Sequence, residues 1–373
     1  MQFPIKIKYL ILSVLFLLTH TEVLCQSDQI AFSRSNRTPW GQMQNQSEDW
    51  FTGEQAQQIA KQVMLYQRNS GGWPKNLNMA KPLTAAQTAI LKKEKEAIDA
   101  TIDNSTTFPQ LRFLAQIYNF TKNENYLNSF LKGFDYLIES QYSNGGWPQF
   151  YPLRKGYYSH VTFNDDAMTG VLYLLRDVAD KNADFLFVDE IRRQKAQQAV
   201  DKGLQIILKT QIKVNGKLTA WCAQYNEHSL EPADARTYEL ASISGKESVG
   251  VVEYLMSLDN PSPEVVNAIE ASCRWFEESK ITGHKVTWTL VSESPRKYNR
   301  LLVEDPNGGP LWARFYDIET NQPMYIDRYG IKKDSHNKLS DERRNGYAYV
   351  GDFARILLEK EYSEWKGRVV GGQ

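Results

Sequence analysis

Four short stretches of this 373-residue chain concentrate the side chains that could do chemistry. Thr101-Ile102-Asp103-Asn104-Ser105-Thr106-Thr107 and Thr162-Phe163-Asn164-Asp165-Asp166 are rich in carboxylates and amides. Such residues cap helices and suit the positive end of a helix dipole. Adjacent carboxylates beside an amide also suit a hard cation, because calcium takes roughly six to eight oxygen ligands. No calcium-loop spacing is present, so this reading needs a partner segment. The third stretch, Pro232-Ala233-Asp234-Ala235-Arg236-Thr237-Tyr238-Glu239, sets Arg236 among polar and aromatic residues. A structural pair to Glu231 or Glu239 is the plain alternative for it. The fourth holds Arg314 in Trp312-Ala313-Arg314-Phe315-Tyr316-Asp317 and Arg328 in Tyr325-Ile326-Asp327-Arg328-Tyr329-Gly330. Arginines flanked by rings suit bidentate capture of carboxylates, or cation–π packing inside the fold.

The elements that must position these stretches read as helices. Apolar periodicity predicts them over 54–67, 84–99, 108–120, 126–141, 165–180, 191–211, 245–258, 263–279 and 346–362. Few stretches alternate in the strand manner. Gln67-Arg68-Asn69-Ser70-Gly71-Gly72-Trp73-Pro74 returns as Gln141-Tyr142-Ser143-Asn144-Gly145-Gly146-Trp147-Pro148, each copy after a helix. Looser copies follow at Asn215-Gly216 before Trp221 and at Asn307-Gly308-Gly309 before Trp312. A repeat of this length predicts an α/α toroid or a helical solenoid, with the long loops gathered at one end. Two glycines before a tryptophan and a proline predict a tight bend beside an exposed ring at a cleft rim.

Lysines and arginines number 44 and aspartates and glutamates 44, so no global field points to nucleic acid. Lys6 and Lys8 ahead of an apolar run read as a signal peptide over 1–25, too short to span a membrane. Export to the periplasm or medium follows, or a lipid-anchored surface form through Cys25. Residues 26–50 read as a flexible lead-in and 51–365 as one domain without an internal boundary. Cys222 and Cys273 remain after processing, which is too few for a disulfide framework. The lone histidines His160, His228, His284 and His336 show no ligand spacing, and nucleotide and Gly-x-Ser-x-Gly motifs are absent.

Read together, the motifs resemble the pectate lyases of polysaccharide lyase family 10. The resemblance rests on Asn69 to Asn76, Ile102-Asp103-Asn104, Asn144 to Gln149 and Thr162 to Asp166. It continues in Trp221 to Tyr225, Pro232 to Arg236, Trp312 to Tyr316 and Asp327-Arg328. It implies an all-α fold, an incomplete α/α toroid whose long loops form a substrate cleft. It implies calcium-assisted β-elimination on polygalacturonate by a protein expected to be a monomer. Carried over by motif, Asp103 and Asp165 are acidic residues of the calcium and catalytic centre, and Asp166 is a neighbour with a weaker claim on the metal. Arg236 is the base, Arg314 and Arg328 bind uronate carboxylates, and Lys75, Trp147 and Asn104 contact sugar. Three other readings remain: a terpenoid cyclase, disfavoured by the signal and the loop arginines; a glycoside hydrolase on a helical toroid, which would use two carboxylates; and a non-catalytic pectin-binding protein.

Overall fold

The structure is a computed structural model that describes residues 37–291 and 298–371. The signal peptide, Cys25 and residues 26–36 lie outside the described residues. Among the described residues twelve α-helices run in chain order: α1 (Trp40–Gln44), α2 (Glu48–Thr52), α3 (Glu54–Tyr66), α4 (Ala85–Lys93), α5 (Phe108–Thr121), α6 (Glu124–Glu139), α7 (Ala167–Ala179), α8 (Glu190–Thr210), α9 (Glu247–Met256), α10 (Pro263–Ser279), α11 (Asp341–Gly346) and α12 (Tyr362–Gly371). They start where the chemistry favours it. Thr84 and Gln87 close a capping box on α4, Asn123, Asp189 and Ser262 cap α6, α8 and α10, and Pro109 and Pro263 sit in the first turns of α5 and α10.

The helices form two rows. α3, α6, α8 and α10 touch in succession, as do α5, α7 and α9. The repeated phrase is the device that holds the first row. Trp73, Trp147, Trp221 and Trp312 are all fully buried. Their ring N–H groups donate to Val63, Leu137, Ile207 and Phe276 carbonyls at 2.7, 2.8, 2.7 and 2.8 Å, near the C-terminal ends of α3, α6, α8 and α10. Each bond adds a donor to a carbonyl in the last turns of the helix, where backbone partners run short. The glutamines ahead of the first three reach the next helix of the row. Gln67 donates to Ser129 (2.9 Å), Gln141 to Ala199 (2.9 Å) and Gln211 to Ala268 (3.0 Å).

The bend in the phrase is real. Gly71 and Gly145 have φ of +108° and +99°, and a Cβ on either would sit 2.4 or 2.2 Å from a carbonyl of α6 or α8. The exposed ring is not: the tryptophans are core residues. Trp147 therefore has no face to offer a sugar, and its expected binding role is corrected on burial alone.

Three other expectations change. Residues 37–50 are not a loose lead-in, since Met43 is buried and Trp40 lies 6.0 Å from Phe113. Residues 346–362 are not one helix. Val350 and Gly351 pair with Ala313 and Trp312 as strand, and a π-helical turn over Leu357–Glu361 precedes α12. The described residues are about half helical rather than all-α, and His284–Leu290 pairs antiparallel with Tyr298–Glu304. The alternation of Val286, Trp288 and Leu290 with Lys285, Thr287 and Thr289 was its signal.

Candidate active site

Two-residue strands pin the loops at one end of the rows, and the chemical residues follow them closely. Trp73-Pro74 pairs with Thr101-Ala100, Val161-Thr162 with Tyr225-Gln224, Ile243-Ser244 with Tyr316-Phe315, and Trp312-Ala313 with Gly351-Val350. Lys75 directly follows the first strand, and Asp103 lies two residues past its partner. Asn164 and Asp165 follow Thr162, Lys246 and Glu247 follow Ser244, and Arg314 lies between Ala313 and Phe315. Loops far apart in sequence thereby meet at one place.

Asn164 is at the centre. Its amide donates to Asp103 Oδ1 at 3.2 Å and Asp165 Oδ2 at 3.1 Å, and its Oδ1 accepts from Arg314 at 3.4 Å. Lys75 pairs with the buried Asp103 carboxylate. Lys246 bridges Asp165 (3.0 Å) and Glu247 (3.3 Å). Arg314, itself buried, pairs with Glu247 and lies 3.6 Å from Asp165. Glu247 has no exposed side-chain surface and also accepts from Ser244 at 2.6 Å. Three cations thus balance three carboxylates in a partly buried pocket of charge. Burial alone would push the carboxyl groups of Asp165 and Glu247 up, but Lys246 and Arg314 outweigh it and hold both below the usual range.

The backbone here is strained. Asn104, Ser105, Thr107, Asp165 and Asp166 all have φ between +49° and +73°. Such positions cost about 1–3 kcal/mol each and persist where surrounding contacts over-determine them. For Thr107 those contacts are bonds to the Thr101 carbonyl (2.7 Å) and from the Trp73 amide (3.2 Å). Asp166 rests on α9, where a Cβ on Gly250 would meet its Oδ1 at 2.2 Å. Burial and the charges of Glu247 and Asp165 raise its pKa, although Lys246 opposes them.

Arg236 joins the cluster at one remove. It makes a bidentate pair with Glu239, which accepts from Tyr347 Oη at 2.6 Å; Arg314 stacks on the Tyr347 ring at 4.6 Å. Of the two partners the sequence offered Arg236, Glu239 is the one it takes. Burial would lower the pKa of Arg236, but Glu239 reverses this and raises it above the ordinary value. Arg328 is half-exposed, pairs with Glu342, and shares the Tyr238 ring with Arg236 at 5.6 and 4.9 Å. Asn104 turns to the other side of its loop, donating to Asn76 at 3.3 Å.

Lys75, Asp103, Asp165 and Arg314 are therefore brought together, Arg236 and Arg328 flank them, and Asp166 and Asn104 are peripheral. Asn164, Lys246, Glu247, Glu239 and Tyr347 were not singled out as site residues. Asn164 was inside a quoted motif, and Lys246-Glu247 read as the start of a helix. Tyr347 was hidden in the helix expected over 346–362. Cys222 and Cys273 are both buried and free.

The fold thus presents carboxylates, an arginine and lysines together in one loop cluster. The family model described as pectic acid lyase matches residues 67–358. Two solved structures are similar: a family 10 polysaccharide lyase from Cellvibrio cellulosa and a point mutant of it in complex with trigalacturonic acid. Both are 34% identical to this chain. The complex covers 83% of this chain and 94% of its own, with a TM-score of 0.71; the other covers 87% and 95%, with a TM-score of 0.70. Nothing among curated proteins matches. The chain belongs to the pectic acid lyase family, the pectate lyases of polysaccharide lyase family 10.

Proposed function

We propose that this pectate lyase cleaves polygalacturonate by calcium-assisted β-elimination at the cluster around Asn164, with Arg236 as the base. The observation that carries this is the convergence of Lys75, Asp103, Asn164, Asp165 and Arg314 from four loops beside Arg236. The base removes the C5 proton next to the uronate carboxyl. The electron pair forms the C4–C5 double bond and the C4–oxygen bond breaks, leaving an unsaturated uronate on one product. Negative charge spreads onto the carboxyl group in the transition state, so cations aimed there lower the barrier. Half-exposed Arg328 meets the polymer's carboxylates directly, while buried Arg314 supports them from beneath.

The oxygens of Asp103, Asp165 and Asn164 have the hard-donor chemistry calcium takes. Among the described residues, no group of three or more His, Cys, Asp or Glu could hold a metal. Bound at those three side chains, calcium would neutralise the uronate carboxyl and acidify C5.

Two finer readings follow from the sequence and the helix rows. The protein is exported with residues 1–25 as its signal, and 51–365 act as one domain curved as an incomplete toroid. No helix among the described residues is long and apolar enough to cross a membrane. A glycoside hydrolase is disfavoured by the family match, since the model that covers residues 67–358 is that of pectic acid lyases.

The test is Arg236→Ala. It should nearly abolish release of unsaturated product from polygalacturonate while leaving binding largely intact. Full activity in that variant would end the base assignment.

A further inference from the structure

One residue touches both halves of the site. Tyr347 directly follows α11, where its amide donates to the Arg343 carbonyl at 3.1 Å and its carbonyl accepts from the Tyr349 amide at 3.1 Å. Phe315 stacks against its ring, with centres 6.1 Å apart and planes 11° from parallel. Three guanidinium groups lie over that ring: Arg314 at 4.6 Å, Arg343 at 5.6 Å and Arg236 at 5.8 Å. All three are within the reach of a cation–π attraction, about 6 Å. The hydroxyl donates to Glu239 Oε1 at 2.6 Å. The same oxygen accepts from Arg236 Nη2, and Glu239 Oε2 accepts from Arg236 Nε at 2.7 Å. Glu239 is 9% exposed, so little water competes for its oxygens.

Two donors on one buried oxygen divide its charge. A hydrogen bond to a carboxylate favours the charged form and weakens its pull on a neighbouring proton. The Tyr347 hydroxyl thus works against the hold of Glu239 on the Arg236 proton. It stays a donor in alkaline solution, because burial, helped by the charge of Glu239, raises its pKa well above the ordinary value although Arg314 opposes. The other titratable groups facing Arg236 are Tyr238, under its guanidinium at 4.9 Å, and Tyr157, within reach of its charge. Arg328 and Arg343 share the Tyr238 ring at 5.6 and 4.3 Å. Among the described residues, only Tyr347 and Arg236 bond the Glu239 carboxylate. We propose that Tyr347 is the positioning residue that ties the base to the second arginine: its hydroxyl moderates the grip of Glu239 on Arg236, and its ring seats Arg314. The inference deepens the functional reading and rests on Arg236 as the base.

The test is a double-mutant cycle, with kcat and KM for polygalacturonate measured across the alkaline range. Tyr347→Phe keeps the ring and removes the hydroxyl, so Glu239 holds the Arg236 proton more tightly. A shift of one pKa unit changes the neutral fraction tenfold, so kcat/KM at a given pH should fall about tenfold, through kcat and with KM unchanged. Glu239→Gln moves the profile the other way. In that background the hydroxyl meets no charge, so adding Tyr347→Phe should change little. Tyr347→Leu also removes the ring under Arg314 and should raise KM as well. An equal fall for Tyr347→Phe in both backgrounds marks a merely structural loss and overturns the proposal, as does no fall in either. A KM in Tyr347→Leu equal to that in Tyr347→Phe overturns the seat for Arg314. Failure of the functional reading is seen separately, as full activity in Arg236→Ala.

Discussion

Glu247→Gln isolates the charge at the base of the site. Glu247 is fully buried and pairs with Arg314, whose side chain is itself only 8% exposed. The substitution keeps shape and removes one negative charge, so three cations face two carboxylates. Removing one partner of a buried pair costs about 3–5 kcal/mol, because the remaining charge stays desolvated. Asp165, 3.6 Å from Arg314, compensates in part, which puts the loss near 3 kcal/mol. Unfolding entropy near 2.1 cal/mol/K per residue gives a chain of this size ~0.7 kcal/mol/K, so Tm should fall by roughly 4 °C. The gap depends on pH with a fixed sign. Glu247 has a depressed pKa, so its contribution is fully present above the unfolded value of about 4.3 and is lost as pH falls through the folded value. Calorimetric scans at neutral pH and below about pH 4 should show the gap closing on acidification. The double variant Glu247→Gln with Arg314→Met should regain Tm without regaining activity. An unchanged Tm in Glu247→Gln, or a double variant less stable than the single one, would refute the reasoning.

Trp147→Phe removes the ring bond to the Leu137 carbonyl, which keeps the Ser140 hydroxyl at 3.1 Å, a loss of about 0.5–1.5 kcal/mol; Tm should drop while KM for polygalacturonate stays put, and a raised KM would return Trp147 to the substrate. Glu239→Gln removes the charge that raises the pKa of Arg236. The neutral fraction at any pH then increases, so the alkaline rise of kcat/KM should move to lower pH, and a shift the other way would count against Arg236 as base. Thorough chelation should suppress turnover and added calcium restore it; an unaffected rate would remove the metal from the account.

Much of the architecture is legible in sequence because helices follow a local rule. Apolar spacing located α3 and α5 to α10 to within a few residues, since their caps and prolines are local signals too. Residues 346–362 defeated that rule because tertiary pairing decides them. Tyr349 donates to the Ile326 carbonyl and Val350 pairs with Ala313. The glycine-tryptophan phrase announced the repeat, but composition could not tell a ring at a cleft from a ring locked over a helix end. In the site, Asp103, Asp165 and Arg314 were readable from their motifs. Asn164, which joins them, was not, because an amide beside two aspartates looks like a helix cap until the second loop arrives. Glu247 was hidden for the same reason, as an acidic residue in the first turn of α9.

The central claim is elimination rather than hydrolysis at this cluster. The direct measurement incubates the purified protein with polygalacturonate and calcium, and compares ultraviolet absorbance of unsaturated products with new reducing ends in the same sample. One unsaturated end for each bond broken is the expected result. New reducing ends with no absorbance would identify a hydrolase and contradict the account.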